Sequence, residues 1–338
     1  MNKFLKILLS VAFAALFLWL AFRNVKFSEI LEASREMSWG WVFPFTISLI
    51  MAHYIRAERW RMLFNDGGVI PHRFTLFTGV MFGYLTNIPF PRLGEITRPV
   101  YVARQIGESN SKIIGTIVLE RIVDVVSMLM IMAFVGFFMI SDAEILSRLF
   151  KIDFTDPDVV SSLISGLVKY GLIATGIGIG IFFLIRRLSE GNGKFANFIT
   201  KIKETGNSFF SGVLAIRTLK NWPLFVVYTA LIWLLYILMI FIPFWMFDLQ
   251  QTFGLSFADA VVLTMVSAVG ISIPTPGGVG SYHYFITYSL FVLYAVPEVT
   301  GLAFATITHA ATLLLVIIIA PTCLAIDKYL VLKRQAKV

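Results

Sequence analysis

The chain has 338 residues, 58% of them hydrophobic and 14% charged, with a mean hydropathy of +0.82. A soluble domain carries about 25% charged residues, so this composition excludes a fully water-faced fold and gives a polytopic membrane protein. The net charge of +8 falls in loops between apolar runs, a membrane-topology signal before a nucleic-acid one, and the single cysteine, Cys323, excludes an intrachain disulfide.

The first apolar run, 4–22, opens like a signal peptide. It is too long for an h-region and lacks a small-x-small cleavage site, so it is expected to stay as a first span. A second run at 39–58 ends in RAERWR, residues 56 to 61. Arginines with a tryptophan at the inner edge of a span read as interface anchors. Further runs at 113–140, 161–185, 222–247 and 300–326 reach the roughly 20 residues of a bilayer crossing. Within 161–185, Gly176 and Gly180 suit close helix packing and not a nucleotide loop.

Two regions, 74–98 and 257–296, are apolar but broken in the middle. The break in the first is NIPFPRLGEITR, residues 87 to 98; in the second it is SIPTPGGVGS. Each half is too short to cross. Between the runs lies a basic loop, 186–221, in which Phe195, Phe198, Ile199, Ile202, Phe209 and Val213 recur at helical spacing. That pattern fits a helix on the inner membrane surface, or a solvated loop serving topology alone.

Lysine and arginine set the orientation. Arg56, Arg59, Arg61, Arg73, the 186–221 loop and the tail with Lys328, Lys333, Arg334 and Lys337 fall on one side. They do so only if both broken regions enter and leave on the same face. The reading is an all-α membrane protein of six full spans plus two re-entrant helical hairpins, with both termini cytoplasmic. Residues 1–338 form one membrane domain, with half-repeats about 1–140 and 159–326 starting from opposite faces. An inverted repeat with broken helices is a transporter signature.

Broken helices survive in hydrocarbon only against protein or a wet cavity. The tips therefore imply a polar cavity, where helix-end amides favour an anion. Gly277, Gly278 and Gly280 let a ligand approach backbone closely, and Asn87 stands at the first tip. Arg92, Glu95 and Arg98 are spaced to share a face of a helix starting near Leu93. Glu120, Arg121 and Asp124 repeat the theme within a span, with Glu120 and Asp124 on one face. Charges at this depth pair or line a polar path, so a structural network joining Arg92 or Arg98 to Glu120 or Asp124 stands beside a ligand site. His283 follows the second tip, with a pH-sensitive or a hydrogen-bonded structural role open to it. His53, His72 and His309 are scattered, without metal spacing, and no nucleotide loop or covalent nucleophile motif is present.

The stretches AERWR, NIPFPRLGEITRP, LERIVDVV and PTPGGVGSYH together resemble the membrane domain of lysylphosphatidylglycerol synthase/flippase proteins and their stand-alone relatives, in the same order and over nearly the whole chain. The resemblance implies translocation of a phospholipid or polyisoprenoid-linked lipid. It marks Arg92, Glu95, Arg98, Glu120, Arg121 and Asp124 as the matching polar positions. The aminoacyl-transferase domain of full-length synthases is missing, and His283 stands where glutamate is expected. The expected partner is a membrane lipid with an anionic or zwitterionic headgroup, with no cofactor, metal or nucleic acid. A homo-oligomer or a lipid-modifying enzyme partner stays open, as does an enzyme or accessory role on a polyprenyl-phosphate carrier.

Overall fold

The computed structural model describes residues 3–23, 25–64, 69–136, a scatter of positions between 153 and 180, residues 211 and 212, and 214–335. The described residues are all-helical, with no strand among them. We label α1 Lys3–Phe22, α2 Phe27–Arg35, α3 Val42–Arg61, α4 Arg73–Asn87, α5 Gly94–Ile106 and α6 Asn110–Phe134. The second part gives α7 Trp222–Met246, α8 Leu249–Phe253, α9 Phe257–Ser272, α10 Ser281–Tyr294 and α11 Glu298–Gln335. Described positions between 157 and 180 are also helical. The amphipathic pattern from Phe195 to Phe209 lies outside the described residues, as does most of the 175–183 glycine run.

Two described helices, Trp222–Met246 and Glu298–Leu330, are long and apolar enough to cross a bilayer. By contrast, α4 and α5 have 15 and 13 residues and α9 and α10 have 16 and 14. At 1.5 Å per residue these reach about 20–24 Å, short of a hydrocarbon core of about 30 Å. Local chemistry fixes their ends. Ser256 and Asp259 form a capping box at the start of α9, Gly107 closes α5 with φ 71°, and the Ser109 side chain accepts the Lys112 N–H at the start of α6.

α4 and α5 fold back on one another as a first hairpin, sealed by small residues. A β-carbon at Gly79 would stand 2.9 Å from Val102 Cγ2, and one at Gly83 would stand 3.1 Å from Arg98 Cβ. One at Gly94 would overlap the Gly83 carbonyl oxygen. Small residues one turn apart let two helix backbones touch, the device by which helices pack in lipid. Asn87 then closes the tip, its Oδ1 accepting the Gly94 N–H at 2.6 Å. α9 and α10 form the second hairpin, where Gly270 faces Phe285 Cβ at 3.3 Å.

The two hairpins start from opposite ends of an antiparallel pair, α3 and α7. At one end Arg59 of α3 lies over Phe225 and bonds Thr229 of α7; at the other Trp41 stacks on Trp245, ring centroids 5.0 Å apart. The base of the first hairpin, with Leu76, Val102 and Ala103, shares a core with Trp60 and Phe225. The base of the second, with Leu255, Ala260 and Val296, shares a core with Phe244 and Leu249. The tips meet between these cores: a β-carbon on Gly277 would lie 3.6 Å from the Ile88 backbone.

Candidate functional site

A buried charge cluster holds the first hairpin to α3 and α6. Glu120 of α6, 1% exposed, receives Arg98 of α5 through two parallel N–H···O bonds of 3.1 and 3.0 Å. Arg56 of α3 donates from Nε to Glu120 at 2.7 Å and from Nη2 to Asp124 at 2.5 Å. Its Nη1 donates to the hydroxyls of Tyr84 on α4 and Tyr236 on α7, at 2.7 and 2.8 Å. Arg59 completes the grip on Asp124 at 2.6 Å. Arg98 also lies over the Trp60 ring at 4.0 Å, and Trp60 Nε1 donates to Thr116 Oγ1 at 2.9 Å. Planar guanidinium forks suit such multidentate pairing and stacking, which a lysine would not reproduce.

Among the described residues the cluster is not charge-balanced. Buried Arg56, Arg59 and Arg98 face Glu120 and Asp124, leaving one positive charge in surplus. Beside it, half-exposed Arg121 and Glu95 pair at 3.6 Å and cancel. The Nε atoms of Arg59 and Arg98 and both ring nitrogens of His53 are buried without a hydrogen-bond partner among the described residues. A positive surplus with unspent donors favours an anion nearby.

The sequence expectations are met unevenly. Arg98 pairs with Glu120, and Glu120 and Asp124 share one face, as the spacing required. Arg92 is split from Glu95 and Arg98, because α5 begins at Gly94 and Arg92 precedes it with φ 61°, a left-handed backbone. Exposed Arg92 reaches across to the other tip and donates from Nη2 to the Ser272 carbonyl at 3.1 Å, where α9 ends. RAERWR is corrected outright. Arg56 and Arg59 are 4% and 1% exposed and neutralise α6, so they are not interface anchors. The signal was available: Glu120 and Asp124 needed more than Arg98, and Arg56 and Arg59 sit one turn apart.

At the second tip, Gly277, Gly278 and Gly280 all have positive φ, of 59°, 77° and 87°. Their open faces meet protein in this arrangement. Gly277 faces Ile88, Gly278 faces His309, and a β-carbon on Gly280 would stand 2.6 Å from the Ala14 carbonyl oxygen of α1. His283 is buried, its Nδ1 accepting the Gly280 N–H at 3.3 Å, with its ring centroid 5.1 Å from that of His309 on α11. Sequence reading left His309 aside because the two histidines are 26 positions apart in the chain and only the packing of α10 on α11 joins them. No group of three or more histidine, cysteine or carboxylate side chains suited to a metal occurs among the described residues.

Residues 7–320 match the family model described as "Lysylphosphatidylglycerol synthase TM region". No curated protein and no solved structure matches the chain.

Proposed function

We propose, from the premise that this chain belongs to the lysylphosphatidylglycerol synthase TM region family, that it is a membrane lipid translocase. Family membership and the apolar helices make it a membrane protein with a lipid-related role. Its substrate, in this reading, is a phospholipid or polyisoprenoid-linked lipid with an anionic or zwitterionic headgroup. The single observation that carries the reading is the meeting of the two tips. A cation on one tip, Arg92, bonds the Ser272 carbonyl at the other, beside the glycine turn. In this reading a headgroup phosphate would take the place of that carbonyl on Arg92, its tails remaining in the bilayer.

The hairpins starting from opposite ends of α3 and α7 support an inverted repeat, with halves about 1–140 and 159–326. They fit two re-entrant hairpins entering from opposite faces; the count of six spans and the cytoplasmic termini rest on the apolar runs and on the basic segments of the sequence. Residues Val69 to Arg73 and Gln105 to Ile106, at the two ends of the first hairpin, line one cleft of about 590 Å³, as same-face entry requires. Rocking one half against the other would present the headgroup to each leaflet in turn. An enzymatic role is less favoured, because Glu120 and Asp124 are committed to arginines and hold no spare acid or base.

The test is a leaflet assay with purified protein in vesicles carrying a headgroup-labelled anionic phospholipid. Faster exchange of label between leaflets than in protein-free vesicles is expected. Protein-containing vesicles that match empty ones across several headgroups would overturn the reading.

A further inference from the structure

The second hairpin carries a pair of histidines that the headgroup reading leaves unused. His283 lies in the first turn of α10 and His309 on α11, with Gly278 between them and the tip: a β-carbon there would stand 3.5 Å from His309 Cε1. Because His283 Nδ1 accepts the Gly280 N–H, its neutral proton sits on Nε2. His309 Nε2 is buried without a partner among the described residues. A buried ring nitrogen without a partner needs a proton, a water or a ligand.

The neighbouring side chains offer it no partner. Tyr282 packs its ring 5.0 Å from His309 but commits its hydroxyl to Thr308 Oγ1 at 3.1 Å. From α1, Phe22 faces His283 at 6.4 Å. From α9 the tip neighbour is Ile271, while Asp259 lies at the far end, bonded to Ser256. Arg92 is the charged group of the opposing tip and is bonded to Ser272. No carboxylate among these neighbours offsets a charged imidazole, and a charge in a low-dielectric site persists only with a partner.

We infer that His283 and His309 form a proton site at the second tip, which takes up one proton together with one phosphate of an anionic headgroup. This rests on the headgroup reading and adds a co-substrate to it. The proton adds to the lone pair of His309 Nε2 from solvent as the headgroup enters, turning an acceptor into a donor for the phosphate. The phosphate supplies the missing counter-charge. Neither ligand is held well without the other, so lipid and proton bind with positive coupling.

Calorimetry on the wild-type chain in detergent reads this directly. Short-chain phosphatidylglycerol is titrated in two buffers of different ionisation enthalpy, with free glycerol phosphate as a parallel arm. Proton uptake on binding is expected, with affinity about tenfold higher near pH 5.5 than near pH 7.5. The pH dependence should vanish in His309→Gln. Coupling by lipid alone assigns the site to a headgroup, and equal coupling by glycerol phosphate assigns it to soluble phosphate. Binding without proton uptake, or an unchanged pH profile in His283→Gln/His309→Gln, overturns the site. Lipid exchange in vesicles separates the two readings: pH-independent exchange overturns the proton site and leaves the translocase standing. Coupled uptake without exchange does the reverse.

Discussion

Arg92 and Ser272, 180 positions apart in sequence, join the two hairpin tips through one N–H···O bond of 3.1 Å. The bond puts a guanidinium against the carbonyl end of α9, where a helix carries partial negative charge. The side chain is exposed and makes no ion pair among the described residues, so it is free to exchange this carbonyl for a phosphate. The predictions below follow from this contact and from the packing behind it.

Arg92→Ala should lower headgroup binding and lipid exchange strongly while changing stability by no more than about 1 kcal/mol, the net worth of one hydrogen bond. Arg92→Lys should rescue only part of the exchange, since lysine grips phosphate at one point. Vesicle exchange rates alongside thermal unfolding of each variant check both statements. Wild-type exchange by folded Arg92→Ala would remove this residue from the lipid path.

Glu120→Gln should destabilise the fold by about 3–5 kcal/mol, because it strands Arg98 as a buried cation and leaves Arg56 and Arg59 to share Asp124. Asp124→Asn should cost less, since the Asp124 side chain is 18% exposed and water reaches it. Denaturant unfolding in a fixed detergent measures the ranking, and equal losses would contradict the burial argument.

Gly94→Ala should splay the first hairpin, as its new methyl has nowhere to go but the Gly83 carbonyl. The expected loss is about 1–3 kcal/mol or more. Gly107→Ala offers the contrast. It meets open space and pays only for its left-handed φ of 71°, a smaller penalty on the order of 1–2 kcal/mol. Unfolding midpoints of the two variants, compared side by side, decide it.

Much of this arrangement was legible from residue order alone. Proline and glycine at 87–94 and 273–280 broke two apolar runs, and the structure has helix ends there. The four-residue spacing placed Glu120 with Asp124, and the cost of buried charge called for Arg92 or Arg98 beside them; the structure has Arg98 there, on Glu120. Arg56 and Arg59 were misread because an arginine at a span end looks the same whether it faces headgroups or folds inward. Only the count of buried carboxylates separates the cases. The Arg92–Ser272 bond and the His283–His309 pair were invisible, since both join segments whose approach depends on how the hairpins meet.

Single cysteines at Ile70 and Ile106 should be labelled from the same side of the membrane, because both line one cleft at the base of the first hairpin. Buried Cys323 gives a quiet background for such reagents. Labelling from opposite sides would turn the hairpin into a crossing and reverse the orientation of everything after it.

The tips differ in kind, and the difference bears on selectivity. The first presents side chains, Asn87 and Arg92; the second presents main chain, in glycines whose φ of 59°, 77° and 87° strains any other residue. The Gly278 and Gly280 N–H groups are spent on Thr275 O and His283 Nδ1, so the turn is held internally and a point substitution in it strains the backbone instead of retuning a contact. In the proposed translocase, discrimination among lipids would therefore fall to the first tip and to α11. Swapping those residues between relatives should exchange headgroup preference, whereas grafting the glycine turn should carry none with it.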